Sequence, residues 1–194
     1  MAIDTICGAI RNGQDNSCKS VNSRFYQQAV IINLSDLDSR EINADNVGET
    51  CSRNVQFSLK DGKTGYRFTL SENGSAISGT YDVSRNDFGY STFLHRVNLA
   101  LTDATEEDKC TIEGLVKGRF VVALQRGEII EIYGIENGLS AGDFTADTQA
   151  NSGFIAITLE SLEGALESHV PLVYKASSAG QEIEDFDSNF AQTI

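Results

Sequence analysis

Between Gly118 and Gly134 the chain carries its densest apolar run: Phe120 to Leu124 without a polar residue, then Ile129, Ile130 and Ile132 after Gln125-Arg126-Gly127-Glu128. β-Branched residues bounded by glycine at both ends specify strands, so the stretch predicts two strands joined at Arg126-Gly127. The first is apolar on both faces, which places it inside a sheet. The second carries Glu131 and Tyr133 and reads as a more exposed neighbour. A fold organised around such a pair is a β fold.

The flanking sequence extends that reading. Residues 1–23 are polar and glycine-bearing, with Ile3, Ile6 and Ile10 able to pack on something, and read as an N-terminal arm. A first strand is predicted over residues 24–34, followed by a turn at 35–39, where Asp and Ser side chains bond back to the backbone. Val55, Phe57 and Leu59 alternate, as do Tyr66, Phe68 and Leu70; Asp61-Gly62 between them predicts a β-hairpin, because Gly accepts positive φ. Residues 71–79 read as a loop and the stretch through Tyr81-Asp82-Val83 to Gly89 as a weak polar segment. Phe93, His95, Val97, Leu99 and Leu101 then form the inner face of another strand.

One helix is predicted, over residues 105–117. Thr105-Glu106-Glu107-Asp108 has the form of a capping box, and Ile112, Leu115 and Val116 make an apolar stripe. Gly118 fits the residue that ends the helix, and Gly114 inside it suggests close packing on a sheet. After the central hairpin, residues 134–152 lack periodicity, and a loop of that length tends to be functional or an interaction surface. Strands follow at 153–161 and 168–175, the latter placed at an edge or at its own start by Pro171. The tail, residues 177–194, has Ile183, Phe186, Phe190 and Ile194 at spacings of three or four, as a disordered tail or an arm docking on a neighbouring subunit would. Seven or eight strands and one flanking helix predict a mainly β fold, an antiparallel sandwich or barrel over residues 24–176.

Chemistry is harder to find. The chain has no GxSxG, HExxH, GxxxxGK[ST] or GxGxxG pattern; no acid or nucleophile is spaced around His95, and a zinc site using its two histidines, His95 and His169, would need long-range convergence that the spacing does not support. His95 on an inner face reads as a core histidine with a satisfied hydrogen bond in preference to a base. Cys7, Cys18, Cys51 and Cys110 form no CxxC and read as free thiols, a Cys7–Cys18 link or metal ligation being the less favoured readings. No catalytic, cofactor or metal residue is therefore assigned, and the expectation is a non-enzyme. A net charge of −13 argues against a basic nucleic-acid face, while remaining compatible with a surface past which nucleic acid slides without sticking. No run of 18 apolar residues spans a membrane and no secretory signal is read at the start, which places synthesis in a cytoplasm.

The order of these elements, with Tyr133-Gly134, Asn137-Gly138-Leu139, an acidic loop, Asn151-Ser152-Gly153 leading into an alternating strand and a terminal edge strand, resembles structural proteins of tailed phages that infect Bacteroidetes-type hosts. More loosely it resembles the tail-tube and secretion-tube family. The resemblance implies a virion protein, a subunit that forms rings, often hexameric, stacked into a hollow tube. Its implied partners are further copies of itself, other tail proteins, and DNA passing through an acidic lumen. A head, neck or tail-terminator protein, or a ligand-binding or adhesive β module, is the alternative; an adhesive module would use the loop at 134–153.

Overall fold

The computed structural model describes residues 26–43, 46–47, 50–69, 77–85, 90–101, 105–142 and 155–190. The N-terminal arm, most of the loops at 71–79 and 134–152, and Cys7 and Cys18 lie outside the described residues. In chain order the strands are β1 (Gln28–Asn33), β2 (Leu37–Asn43), β3 (Asn46–Val47), β4 (Thr50–Cys51), β5 (Asn54–Leu59), β6 (Tyr66–Thr69), β7 (Ser78–Arg85) and β8 (Ser91–Leu101). Helix α1 (Glu106–Lys117) follows, then β9 (Phe120–Arg126), β10 (Ile129–Tyr133), β11 (Leu139–Ala141), β12 (Ile155–Ser161) and β13 (Leu172–Tyr174). The C-terminal segment is a single helical turn, α2 (Glu182–Glu184), continued by a π-helical turn, Asp185–Asn189.

Eleven strands join one mixed sheet, and β3 and β4 pair separately. The sheet runs β2-β5-β13-β10-β9-β11-β12-β8-β7, with β1 on the free side of β9 and β6 outside β1. It does not close, so the architecture is a mainly β, open sandwich and not a barrel. β9 is the hinge of the arrangement. Its pairing with β10 covers Val122 to Arg126, and at Phe120 it passes to β11, which leads to the second layer.

The prediction that residues 120–124 sit inside a sheet holds, and the reason is visible on both faces. Val122 and Leu124, with Ala29 and Ile31 of β1, enter a core closed by Val97, Leu99, Ile157, Leu159 and the α1 residues Ile112 and Leu115. Val121 and Ala123, with Val30 and Ile32, enter a second core with Val55, Phe57, Ile132, Leu172 and Tyr174. A strand with a core on each side is apolar throughout. In the second core β1 and β5 meet although three strands separate them along the sheet, so this half of the sheet curls around it.

That curl overturns the hairpin predicted at Asp61-Gly62. The turn exists, with Gly62 at φ 70° and Lys63 N–H bonded to Lys60 O at 3.0 Å. The strands it joins do not pair: β5 pairs β2 and β13, while β6 pairs β1. Val55 and Phe57 serve the second core and Phe68 packs against the first, so a shared hairpin face would have stranded one set. The last strand is likewise not at an edge, since β13 lies between β10 and β5; Pro171 precedes its first residue and costs no ladder bond. The strand count is also higher than predicted, because β2, β3 and β4, β7 in the segment read as weak and polar, and β11 inside the stretch read as a loop were not among the predicted strands.

Helix α1 matches its signals in most respects. Thr105 Oγ1 accepts from Asp108 N–H at 3.1 Å and Asp108 Oδ2 accepts from Thr105 N–H at 3.0 Å, completing the capping box. Ile112 and Leu115 are buried, whereas Val116 is exposed. Gly118 is extended at φ −96°, and glycine is required there because a Cβ would sit 2.1 Å from the Phe120 ring. Gly114 does not mark close packing: a Cβ there meets nothing within 4 Å. The C-terminal stripe does dock, but on the chain's own second core, where Phe186 and Phe190 are buried and Ile183 partly so. Arg67 Nη1 donates to Asp187 Oδ1 at 2.9 Å and Tyr174 OH to Asp185 Oδ2 at 2.7 Å, fastening the segment across β6 and β13.

Candidate assembly interface

An open sheet leaves edges, and each edge is a row of backbone groups able to pair with another chain. At one end β2 carries Asp38, Arg40 and Glu41 and a bulge between Leu37 and Ser39, which are devices that discourage pairing. β6 is four residues long, and its Arg67 is clasped by the C-terminal turn. At the other end β7 is eight residues long and pairs β8 without a register shift from Ser78↔Asn98 to Arg85↔Ser91. This edge has no bulge.

The side chains of that hairpin divide cleanly by face. Directly paired residues share a face, so Gly79, Tyr81 and Val83 lie with Val97, His95 and Phe93. Ser78, Thr80 and Asp82 lie with Asn98, Arg96 and Leu94 on the other side. The outer face is polar and tied together: Arg96 binds Asp82 and, at 3.0 Å, Glu160 of β12, while Asn98 Nδ2 donates to Ser78 Oγ at 3.0 Å. The inner face begins as core, where a Cβ on Gly79 would meet the Tyr133 hydroxyl at 2.5 Å. Beyond His95 the face stays apolar but is less covered, with Phe93 half-buried beside the Tyr81 ring. Tyr81 is 50% and Val83 55% exposed, although they continue the core-facing side of the strand. The alternation of Tyr81 and Val83 with Asp82 and Ser84 was the available sequence signal for this strand; Gly79 at its start obscured it.

Where the inner face leaves the core, a buried polar cluster closes the end of the sandwich. His95 is 1% exposed. Its Nδ1 accepts from Gly134 N–H at 3.2 Å, which puts the ring proton on Nε2, donated to His169 O at 2.9 Å. Burial pushes its pKa down to about 4. Glu167, equally buried, accepts from Glu136 N–H at 2.9 Å and Asn137 N–H at 3.0 Å, and burial raises its carboxyl above the usual range. Arg40 donates to Ile135 O and Glu136 O. His169 Nε2 lies 3.9 Å from Glu136 Oε1. The two histidines and two glutamates thus converge, but the His95 ring and the Glu167 carboxylate spend their polar atoms on backbone groups of the Gly134–Gly138 turn and on His169 O. A base for catalysis needs a nitrogen free to meet a substrate proton, and His95 has none.

A second polar group anchors the chain's entry. Tyr26 OH donates to Glu131 Oε2 at 2.5 Å and contacts Tyr133 OH at 3.1 Å, while Arg126 Nη2 donates to Glu131 Oε1 at 2.6 Å. Comparison with protein-family models, with curated proteins and with solved structures finds no match to this chain. Among the described residues no three His, Cys, Asp or Glu side chains are placed to hold a metal ion, and Cys110 is an exposed free thiol. No helix among them is long and apolar enough to cross a membrane.

Proposed function

We propose that this chain is a virion structural protein of the tail-tube kind, a subunit that associates with copies of itself through β7 into rings stacked as a DNA-conducting tube. The observation that carries the reading is the partly uncovered inner face of the β7–β8 hairpin, an unbulged edge strand presenting Tyr81 and Val83 to solvent. Such an edge is a liability in a monomer and a joint in an assembly, where a neighbouring strand satisfies its backbone and buries its apolar side. The opposite face of β7 is mostly polar, with Asp82 paired to Arg96, which also pairs Glu160 of β12. The net charge of −13 supports the DNA-conducting part of the reading, because like charge along a lumen keeps DNA from adhering.

The test replaces both exposed apolar residues in one variant, Tyr81→Lys with Val83→Lys. Sedimentation velocity is expected to show wild-type oligomers and a monomeric variant with an unchanged fold by circular dichroism. Oligomers that survive both substitutions would remove β7 from the account.

A further inference from the structure

A ring needs two different edges, because a joint in which β7 met β7 of a second copy would close a pair and stop there. β7 therefore calls for a receiving edge elsewhere on the fold. β2 suits it poorly, since its bulge breaks the ladder and its Asp38 and Glu41 would meet a strand that carries Asp82. β6 has one strand partner among the described residues, β1, which leaves its other side for a second chain. The side chains of β6 divide by face. Tyr66 and Phe68 lie with Ile31 and Ala29 on the side of the first core, and Arg67 lies with Val30 on the side of the second. Tyr66 continues a core-facing side and is nonetheless 59% exposed, as Tyr81 and Val83 are on β7.

We propose that β7 of one copy adds antiparallel to β6 of the next, with Asp82 opposite Arg67. This rests on the reading of β7 as the assembly joint and names the surface that receives it. In that register Tyr66 meets Val83, Phe68 meets Tyr81 and Thr69 meets Thr80. Apolar side chains then share one face and the opposite charges the other, the arrangement that stabilises neighbouring strands. The exposed Asp82 carboxylate binds Arg96 and has acceptor sites left for a second guanidinium. Asp187 holds the place that Asp82 would take. It pairs with Arg67 Nη1 at 2.9 Å from the C-terminal turn, and Phe190 O of the same segment accepts from Gly65 N–H just before β6. Asp187 is itself exposed, so its ion pair yields to a competitor at small cost. The C-terminal turn is thus a guard on the receiving edge, displaced at Arg67 when the next copy arrives.

Two full-length variants that each spoil one edge test the joint. Tyr81→Lys with Val83→Lys blocks β7, and Tyr66→Lys with Thr69→Lys blocks β6; all four side chains are exposed. Sedimentation velocity is expected to show each variant monomeric alone and their equimolar mixture as a one-to-one pair that grows no further, with circular dichroism unchanged for both. A β6 variant that still forms wild-type oligomers overturns the proposal and leaves β7 as the joint. A β7 variant that does so, or a monomeric wild type, removes the assembly reading and the proposal with it. A mixture that stays monomeric, with both variants folded, also overturns the proposal. In the otherwise native protein, Asp187→Ala frees Arg67 and is expected to tighten association roughly two- to fivefold, the range of one exposed ion pair. Unchanged or weaker association would show that the C-terminal turn does not guard this edge.

Discussion

His95 illustrates how a residue with catalytic potential becomes structural. With Nδ1 accepting from Gly134 and Nε2 donating to His169 O, only the neutral ring fits, and protonation would leave Gly134 N–H facing a second donor. Its folded pKa of about 4 lies below the unfolded value near 6.5. The unfolded chain therefore binds more protons between those values. Stability from this group is complete above about pH 6.5 and declines as pH falls toward 4, by about 3 kcal/mol. Glu167 has the opposite sign: its carboxyl is raised by burial, so its contribution is largest at low pH and fades as pH climbs through the folded value. Comparing wild type with His95→Phe isolates the first effect. The variant is expected to lose about 2–4 kcal/mol at pH 7, because a buried donor and acceptor lose their partner. It should also lose the His95 part of the pH slope between 4 and 6.5. Urea unfolding across that range measures both, and an unchanged slope would mean that the ring is not held neutral.

At the scale of elements, the local signals were reliable where one segment supplied all the information. The capping box at Thr105, the central hairpin at residues 118–134 and the inner face His95-Val97-Leu99-Leu101 follow from spacing alone. Thr105→Ala is expected to cost about 1 kcal/mol through loss of the cap, read as a drop in unfolding free energy. Partner choice was not legible. Asp61-Gly62 states that the chain turns, but whether β5 then meets β6 depends on which of two cores each apolar face enters. Pro171 was compatible with an edge or a strand start, and only the parallel pairing of β5 with β13 decides between them. The C-terminal stripe was readable as a docking segment, while its receptor, the second core, exists only after the sheet curls. Phe186 at 0% exposure packs within 6.4 Å of Phe190 (ring centroids) in that core. Phe186→Ala is expected to cost about 3–5 kcal/mol. Hydrogen exchange should then quicken first in β5 and β13, and an effect confined to the tail would contradict the segment's place in the core. Of the candidate interface, the composition of β7 was visible and its exposure was not, since exposure depends on how far the opposing layer covers it.

At the scale of the whole molecule, three features point the same way: an open sheet with one unguarded edge, an apolar face that is only partly covered, and a strongly acidic chain. The edges differ in a manner that bears on assembly. β2 is bulged and charged, β6 is short and clasped, and among the described edges β7 alone is long and regular, so association is expected to begin there. Because that contact buries apolar side chains and backbone groups, it should persist in high salt, unlike one held by surface charge alone. The most direct test of the structural-subunit account is negative-stain electron microscopy of the purified full-length protein, with its solution mass measured at the same concentrations. The account predicts rings or hollow tubes and a mass that is a multiple of the 21.0 kDa chain. A strict monomer at every concentration, with no rings even when crowded, would contradict it.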